Sequence, residues 1–267
     1  MRVSRSSSGG NYFFDDYPLF YETSRTAVTR HRLHLRHLAM IEANREILQG
    51  ARVLDLASHD GRWSFAALQA GAEHVIGLEA RAELVGNARS TFAEYGVSEE
   101  RYELVRGDLF RVLKQRDLAV DVVLCLGFMY HTLRYPDLLR GIAAARPRHC
   151  IIDTKVILDD KPLVHVVLDK TGVQSNGARD GASHGRHVLA GWPSMPALRL
   201  MLDAYDFDIE DEYDWPRLLN DHPERLPGLG DYATGNRVTL RCRSRRGSPA
   251  SAEAAAAQED AQVSVGV

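Results

Sequence analysis

His131 stands shortly beyond an apolar run, Asp121-Val122-Val123-Leu124-Cys125-Leu126, that reads as a buried strand. An imidazole at the mouth of a parallel sheet is matched to taking a proton from a hydroxyl near neutral pH. A core or capping histidine is the plainer alternative. Tyr130 precedes it, and Gly127 between strand and histidine lets the backbone approach a ligand. Asp153 and Lys155 close another apolar run, His149-Cys150-Ile151-Ile152, and point at the same mouth. Asp153 is read as orienting His131, as orienting a substrate, or as a magnesium ligand together with Asp159 or Asp160. A loop salt bridge is its plainer alternative. Three more carboxylates belong to apolar runs. Asp55 lies within Arg52-Val53-Leu54-Asp55-Leu56, Glu79 ends His74-Val75-Ile76-Gly77-Leu78-Glu79, and Asp108 follows Tyr102 to Arg106. A carboxylate at the tip of the second strand can accept both hydroxyls of a ribose.

These residues need a scaffold, and the chain supplies one. Strands at 52–57, 74–79, 102–106, 121–126 and 149–153 alternate with helices at 62–70, 81–95 and 136–145. Such alternation predicts a parallel sheet with helices on both faces. Ser194 caps a further helix with Leu198, Met201, Leu202 and Tyr205 at helical spacing, and strands at 206–213 and 237–243 follow.

The first strand and its turn, Asp55-Leu56-Ala57-Ser58-His59-Asp60-Gly61, resemble the first motif of the class I S-adenosylmethionine-dependent methyltransferases. In that family an acidic residue precedes three glycines at alternate positions. Here Asp55 takes the acidic position, and Ala57, His59 and Gly61 take the glycine positions. Gly107-Asp108-Leu109 is similar to the family's adenine motif. The resemblance covers roughly residues 50 to 245. It implies an α/β, Rossmann-like seven-stranded methyltransferase fold with a mostly parallel sheet, and S-adenosylmethionine as cofactor. The cofactor residues it implies are Asp55, Ala57, Ser58, His59, Gly61, Trp63, Glu79, Asp108, Leu109 and Leu126. His131 is then the candidate base, with Tyr130 and Asp153 beside it. A nicotinamide dinucleotide fits less well, because a pyrophosphate needs glycine at the first two turn positions. The stretch 127–131 followed by Pro136-Asp137-Leu138-Leu139 is similar to a subgroup that includes transfer-RNA wobble-uridine modifying enzymes and small-molecule methyltransferases.

Composition sets limits. The chain has 267 residues, 45% hydrophobic and 26% charged, with a net charge of −3. That suits one large domain with extra segments and gives no general attraction to nucleic acid or anionic membrane. Cys125, Cys150 and Cys242 each sit in an apolar run, as buried thiols rather than a disulfide framework or a zinc site. No apolar run is long enough to span a bilayer, and no signal peptide opens the chain, so a cytoplasmic protein is expected.

The remaining segments shape the expected acceptor. Residues 1–10 and 246–267 read as disordered tails. Residues 11–49 form an N-terminal aromatic segment, which packs on the core with or without a lid role, and a helix at 26–48. His31, His34 and His37 with Arg30, Arg32 and Arg36 give that helix a basic half, read as a solvated face rather than a metal site. Insertions are expected at about 155–193, with an extra strand at 162–168, and at 214–236. The polar stretch 171–187 reads as a loop that orders over the pocket when acceptor binds. Its hydrogen-bonding side chains suit a polyhydroxylated acceptor, so a sugar or oligosaccharide hydroxyl is the first expectation. A phenolic or polyketide hydroxyl comes second, and a transfer RNA is the rival. A homodimer is left open.

Overall fold

The computed structural model describes residues 12–23, 29–172, 181–223 and 228–246. The expected disordered tails lie outside these, Arg246 excepted.

Nine strands are described: β1 (Arg52–Leu56), β2 (His74–Glu79), β3 (Tyr102–Arg106), β4 (Val122–Leu126), β5 (His149–Lys155), β6 (Val164–Lys170), β7 (His187–Pro193), β8 (Phe207–Glu212) and β9 (Arg237–Ser244). Seven make one sheet in the order β3-β2-β1-β4-β5-β9-β8. The first five are mutually parallel, and β9 runs antiparallel to both β5 and β8. The order reverses between β1 and β4, so the crevice for a ligand opens at their C-terminal ends. His131 and the carboxylates of Asp55, Glu79 and Asp108 all belong to that edge.

The helices are α1 (Leu19–Glu22), α2 (Arg30–Met40), α3 (Arg45–Leu48), α4 (Arg62–Gln69), α5 (Ala82–Glu94), α6 (Leu109–Gln115), α7 (Tyr135–Ala144), α8 (Met195–Ala204), α9 (Trp215–Asp221) and α10 (Gly230–Ala233). Alternate side chains of each strand feed opposite faces. Leu54, Leu56, Val123 and Cys125 pack with Leu113 of α6, Leu138 of α7 and Leu198 of α8. Val53, Val75, Val122 and Leu124 pack with Phe65 of α4, Phe92 of α5 and Met40 of α2. The three cysteines are free and buried in strands, as their apolar surroundings predict.

The N-terminal aromatics are part of this second layer. Phe13 stacks on His37 with ring centroids 4.1 Å apart, Phe14 meets the edge of Trp63, and Phe20 packs on Phe65.

Two expectations change, and one helix is added. The single helix at 26–48 is α2 followed by a 3-10 turn and α3. Asn44 is the reason: its side-chain amide donates to the carbonyls of Ala39 (3.3 Å) and Met40 (3.1 Å), taking up the end of α2. The stretch after β3 holds α6, whose N-cap is Asp108. The insertion expected at about 155–193 is in large part a hairpin, β6 with β7, forming its own two-stranded sheet; β6 overlaps the extra strand expected at 162–168, and the polar stretch 171–187 joins the two strands. Of that stretch, residues 173–180 lie outside the described ones. The hairpin is fastened to the body by the Tyr135 hydroxyl, which donates to the Gly191 carbonyl at 2.6 Å. Gly191 has no room for a side chain, since an added Cβ would fall 2.6–2.7 Å from Leu133, Tyr135 and Val164.

Candidate active site

The turn after β1 makes its shape with backbone strain. Ala57, His59 and Gly61 have φ of 53°, 58° and 77°, so all three alternate positions are left-handed. Two of them carry side chains there, a conformation that costs about 1–2 kcal/mol per residue. Surrounding bonds hold it. Ser58 N–H donates to the Leu78 carbonyl, Gly61 N–H to the Ser58 carbonyl, and His59 N–H to Glu79 Oε2 at 3.1 Å. Gly61 also packs tightly, because a Cβ would sit 3.0 Å from Ala88 and Phe92. Below the turn, the buried Asp60 accepts from Arg62 Nε at 2.7 Å and from the Thr23 hydroxyl at 2.6 Å.

The three strand-end carboxylates occupy different settings. Asp55 is buried under the turn and accepts from the Ser64 hydroxyl of α4 at 2.6 Å. Burial pushes its carboxyl up to about 7, despite the Ser64 bonds and with a small push from the charges of Asp60 and Glu79. It stands behind the cavity wall rather than on it. Glu79 is 4% exposed and bridges the turn to the next helix. Its Oε2 accepts from His59 N–H and its Oε1 from Arg81 N–H at 2.8 Å. Each oxygen keeps a lone pair for a ligand hydroxyl. Asp108 caps α6 through Oδ1, which accepts from Phe110 N–H at 2.9 Å, while Oδ2 accepts from Gly181 N–H of the hairpin at 2.9 Å. Ser58, Gly61 and Leu109 are buried supports, and a Cβ on Gly77 would press to 2.9 Å from the Ser58 hydroxyl.

A cavity of about 370 Å³ opens at the β1/β4 switch point. Ala57, His59, Trp63, Leu126 and Gly127 form the wall on the turn side, and Tyr130 and His131 the wall beyond β4. A second, wider opening of about 940 Å³ lies at Ala80, Gly107 and Asp108, between the β2 and β3 tips and the hairpin residues Thr171, Gly172, Ser183 and Gly185.

His131 ends a 3-10 turn after β4, and its Nδ1 is 2.5 Å from Oδ2 of Asp169 on β6. Nothing in the sequence pointed to Asp169, which is one polar position in an alternating strand. Asp153 has a different place from the one expected. It is fully buried behind the cavity and carries a full set of partners. Tyr232 donates its hydroxyl to Oδ2 at 2.7 Å, Thr239 does so at 2.9 Å, Arg36 reaches Oδ1 at 3.2 Å, and Arg237 grips Oδ1 through Nε and Nη2. The two guanidiniums hold its carboxyl below the usual range against the opposing effect of burial. Committed in this way, Asp153 does not reach His131; it forms the salt bridge that was its plainer alternative, with Arg36 and Arg237. Among the described residues no group of three or more His, Cys, Asp or Glu is placed to hold a metal ion. Where magnesium pairing with Asp159 or Asp160 was one alternative, Asp153 belongs to an arginine-carboxylate cluster.

Helix α2 also differs from expectation. Arg30 is exposed, as a solvated face requires, but the rest of the basic half turns inward: His37 is buried, His34 stacks on Tyr12 at 4.2 Å, and Arg32 and Arg36 line the cavity. Arg32 forms a two-bond pair with Asp231 of α10, both at 2.7 Å. The 214–236 insertion thus closes one side of the site, with Trp215 stacked on Tyr232 at 3.7 Å.

A seven-stranded, mostly parallel sheet in this order, with a left-handed turn after its first strand, is the Rossmann-like fold of the class I methyltransferases. Residues 53–147 match the family model described as a methyltransferase domain. Solved structures share the fold. The N-terminal domain of EvdMO1, with SAH bound, superposes with a TM-score of 0.52 at 20% identity, over 76% of this chain and 79% of that one. An S-adenosylmethionine-dependent methyltransferase from Mesorhizobium loti gives 0.53 at 15% identity, over 78% and 99%. Another from Clostridium acetobutylicum ATCC 824 gives 0.53 at 14% identity, over 86% and 98%. No curated protein matches the sequence. A methyltransferase domain is thus matched over residues 53–147, and the fold around it is shared with S-adenosylmethionine-dependent methyltransferases. No helix among the described residues is long and apolar enough to cross a membrane.

Proposed function

We propose that the protein methylates a hydroxyl oxygen of a small polyhydroxylated molecule, a sugar or oligosaccharide. The observation that carries this reading is the His131–Asp169 pair at the wall of a cavity whose other wall is the motif turn. When bound, S-adenosylmethionine supplies an electrophilic methyl group on sulfur. The residues present fit it. Glu79 offers lone pairs for ribose hydroxyls, Asp108 Oδ2 has one for an adenine amine, and the turn at Ala57 to Gly61 borders the place for the amino-acid end.

His131 does the proton work. Asp169 holds Nδ1, which fixes the ring and its tautomer, so the acceptor proton is taken at Nε2. Asp169 also stabilises the imidazolium that results. Tyr130 packs beside the ring, with centroids 4.1 Å apart, and limits its rotation. The rest is positioning, the larger part of catalysis when a good electrophile is already present.

The sugar acceptor is supported by the polar lining of the cavity, to which Arg36, His59, Tyr130, His131 and Lys155 contribute. The same fold in the N-terminal domain of EvdMO1 was crystallised in the presence of SAH and D-fucose, a likeness that concerns the fold. The inward turn of α2 takes away the basic outer face on which an RNA reading drew. Labelled S-adenosylmethionine offered with parallel panels of sugars, phenols and transfer RNA tests the proposal. Label in a sugar, stable to mild base as an ether is, is the expected result. Label confined to phenols or RNA would overturn it.

A further inference from the structure

The cavity carries more positive charge than its carboxylates balance. Arg32 is matched by Asp231 and Arg62 by Asp60. Arg36 and Arg237, in contrast, share the carboxylate of Asp153, and the second carboxylate that Arg237 meets, Asp231 at 3.8 Å, is already held by Arg32. Lys155, at the end of β5, has no ion-pair partner among the described residues. Its Nζ lies 4.5 Å from the ring centre of Trp192 and 5.3 Å from that of Tyr130. Aromatic faces hold an ammonium without neutralising it. Burying charge in this way is costly unless a counter-charge arrives.

The surplus converges on one place. Gly127 has φ of 94°, and a Cβ built on it would lie 3.2 Å from Arg237 Nη2, 3.6 Å from Arg36 Nη2 and 3.9 Å from the Tyr130 hydroxyl. The missing side chain leaves a concave spot floored by two guanidinium nitrogens and a phenol. Arg237 is itself only 4% exposed and reaches Tyr130 Oη at 3.3 Å through Nη1. Arg36 Nε is buried with no hydrogen-bond partner. Two donors, a hydroxyl and a nearby free ammonium are what an anionic oxygen group requires.

We propose that the acceptor carries an anionic group, a carboxylate or phosphate, near the hydroxyl that is methylated, and that Arg36, Arg237, Tyr130 and Lys155 hold it. This rests on the hydroxyl-methylating reading above and narrows its substrate to acidic sugars. The group would neutralise the cluster on binding and fix the register of the hydroxyl against His131. A neutral sugar leaves the guanidinium surplus unmatched and should bind more weakly.

The test measures binding apart from turnover. Calorimetry on the full chain loaded with SAH uses glucuronate, glucose 6-phosphate and glucose, alike except for the charge. One of the two acids should bind at least tenfold tighter than glucose, and which one identifies the group. Lys155→Met, which keeps the packing between Trp192 and Tyr130, should remove at least tenfold of that preference while SAH affinity stays within twofold. Equal binding of all three, or of none, overturns the proposal. So does a Lys155→Met variant whose loss falls on SAH, since the cluster would then hold the cofactor's own carboxylate. Acid binding with no methyl transfer to any sugar would instead count against the catalytic reading and leave the anion site standing.

Discussion

Asp169 Oδ2 and His131 Nδ1 lie 2.5 Å apart, although one residue is on the separate hairpin and the other on the turn after β4. On the proposed reading, the hairpin completes the proton-accepting unit as well as covering the body. His131→Ala should slow methyl transfer at least about a hundredfold, the lower end of what a positioned base contributes. Asp169→Asn should slow it at least about tenfold, because an amide can present its N–H to the ring and favour the wrong tautomer. Cofactor affinity should change in neither variant, since the loss is confined to the transition state. His131→Gln keeps a hydrogen bond but cannot take the proton. Single-turnover rates with saturating acceptor decide: near wild-type turnover in the Gln variant would reduce His131 to an orienting group.

Glu79 should matter at the binding step. Its two oxygens already accept from His59 and Arg81 N–H, which aims the remaining lone pairs outward. Loss of a charge-assisted bond to a ribose hydroxyl costs about 1.5–3 kcal/mol, so Glu79→Ala should weaken SAH binding by about ten- to a hundredfold. Part of that loss would come from the His59 amide, which holds a strained turn. Glu79→Gln separates the two, because its carbonyl still accepts from one amide. A dissociation constant unchanged in the Ala variant would remove Glu79 from the site.

Asp108 Oδ2 accepts from Gly181 and retains capacity for one more donor. An adenine amine placed there would share the oxygen with the hairpin and be enclosed by it. Asp108→Ala should then do two things together. SAH affinity should fall, and the Gly181 amide should exchange faster in the ligand-free protein. Hydrogen exchange with calorimetry on the same variant checks both. Faster exchange with unchanged SAH affinity would make the contact a hairpin fastening only, and slower apo exchange would contradict it outright.

The parallel core and its ligand edge were legible because they depend on local pattern. An apolar strand, a small-residue turn and a helix recur along the chain, and β1 to β5 sit within a residue or two of where that pattern puts them. The site's second half was not legible, because its contacts are long-range and polar. Asp153 looked free at a strand end, and only the fold brings it Arg237, Arg36 and Tyr232 from three other elements. Asp169 sits in a strand whose outward residues Val166 and Leu168 stay exposed, so hydrophobic alternation gave no inward face to read. The arginines of α2 looked solvated because a basic helical stripe is usually a surface. Here the 214–236 insertion covers that stripe and supplies Asp231.

Two buried groups should give opposite responses of stability to acid. His37 is buried against Phe13, and burial lowers its imidazole from 6.5 to about 4, against a partial offset from Glu42. The unfolded chain therefore takes up a proton first as pH falls below about 6.5, and stability is lost from there down to about pH 4. Asp55 works the other way. Its carboxyl, raised to about 7 by burial, protonates in the folded state first, so stability is gained as pH falls from about 7 toward 4. Between about pH 7.5 and about pH 5 each contribution is on the order of 2 kcal/mol, and in the wild type they largely offset. Single variants should uncover them. His37→Leu should remove the acid loss, so its melting temperature should rise relative to wild type on going to about pH 5. Asp55→Asn keeps a partner for Ser64 but removes the acid gain, so its melting temperature should fall relative to wild type over the same step. Melting curves of the three proteins at the two pH values, without cofactor, are sufficient. Parallel pH responses in all three would show that neither group titrates where its burial places it.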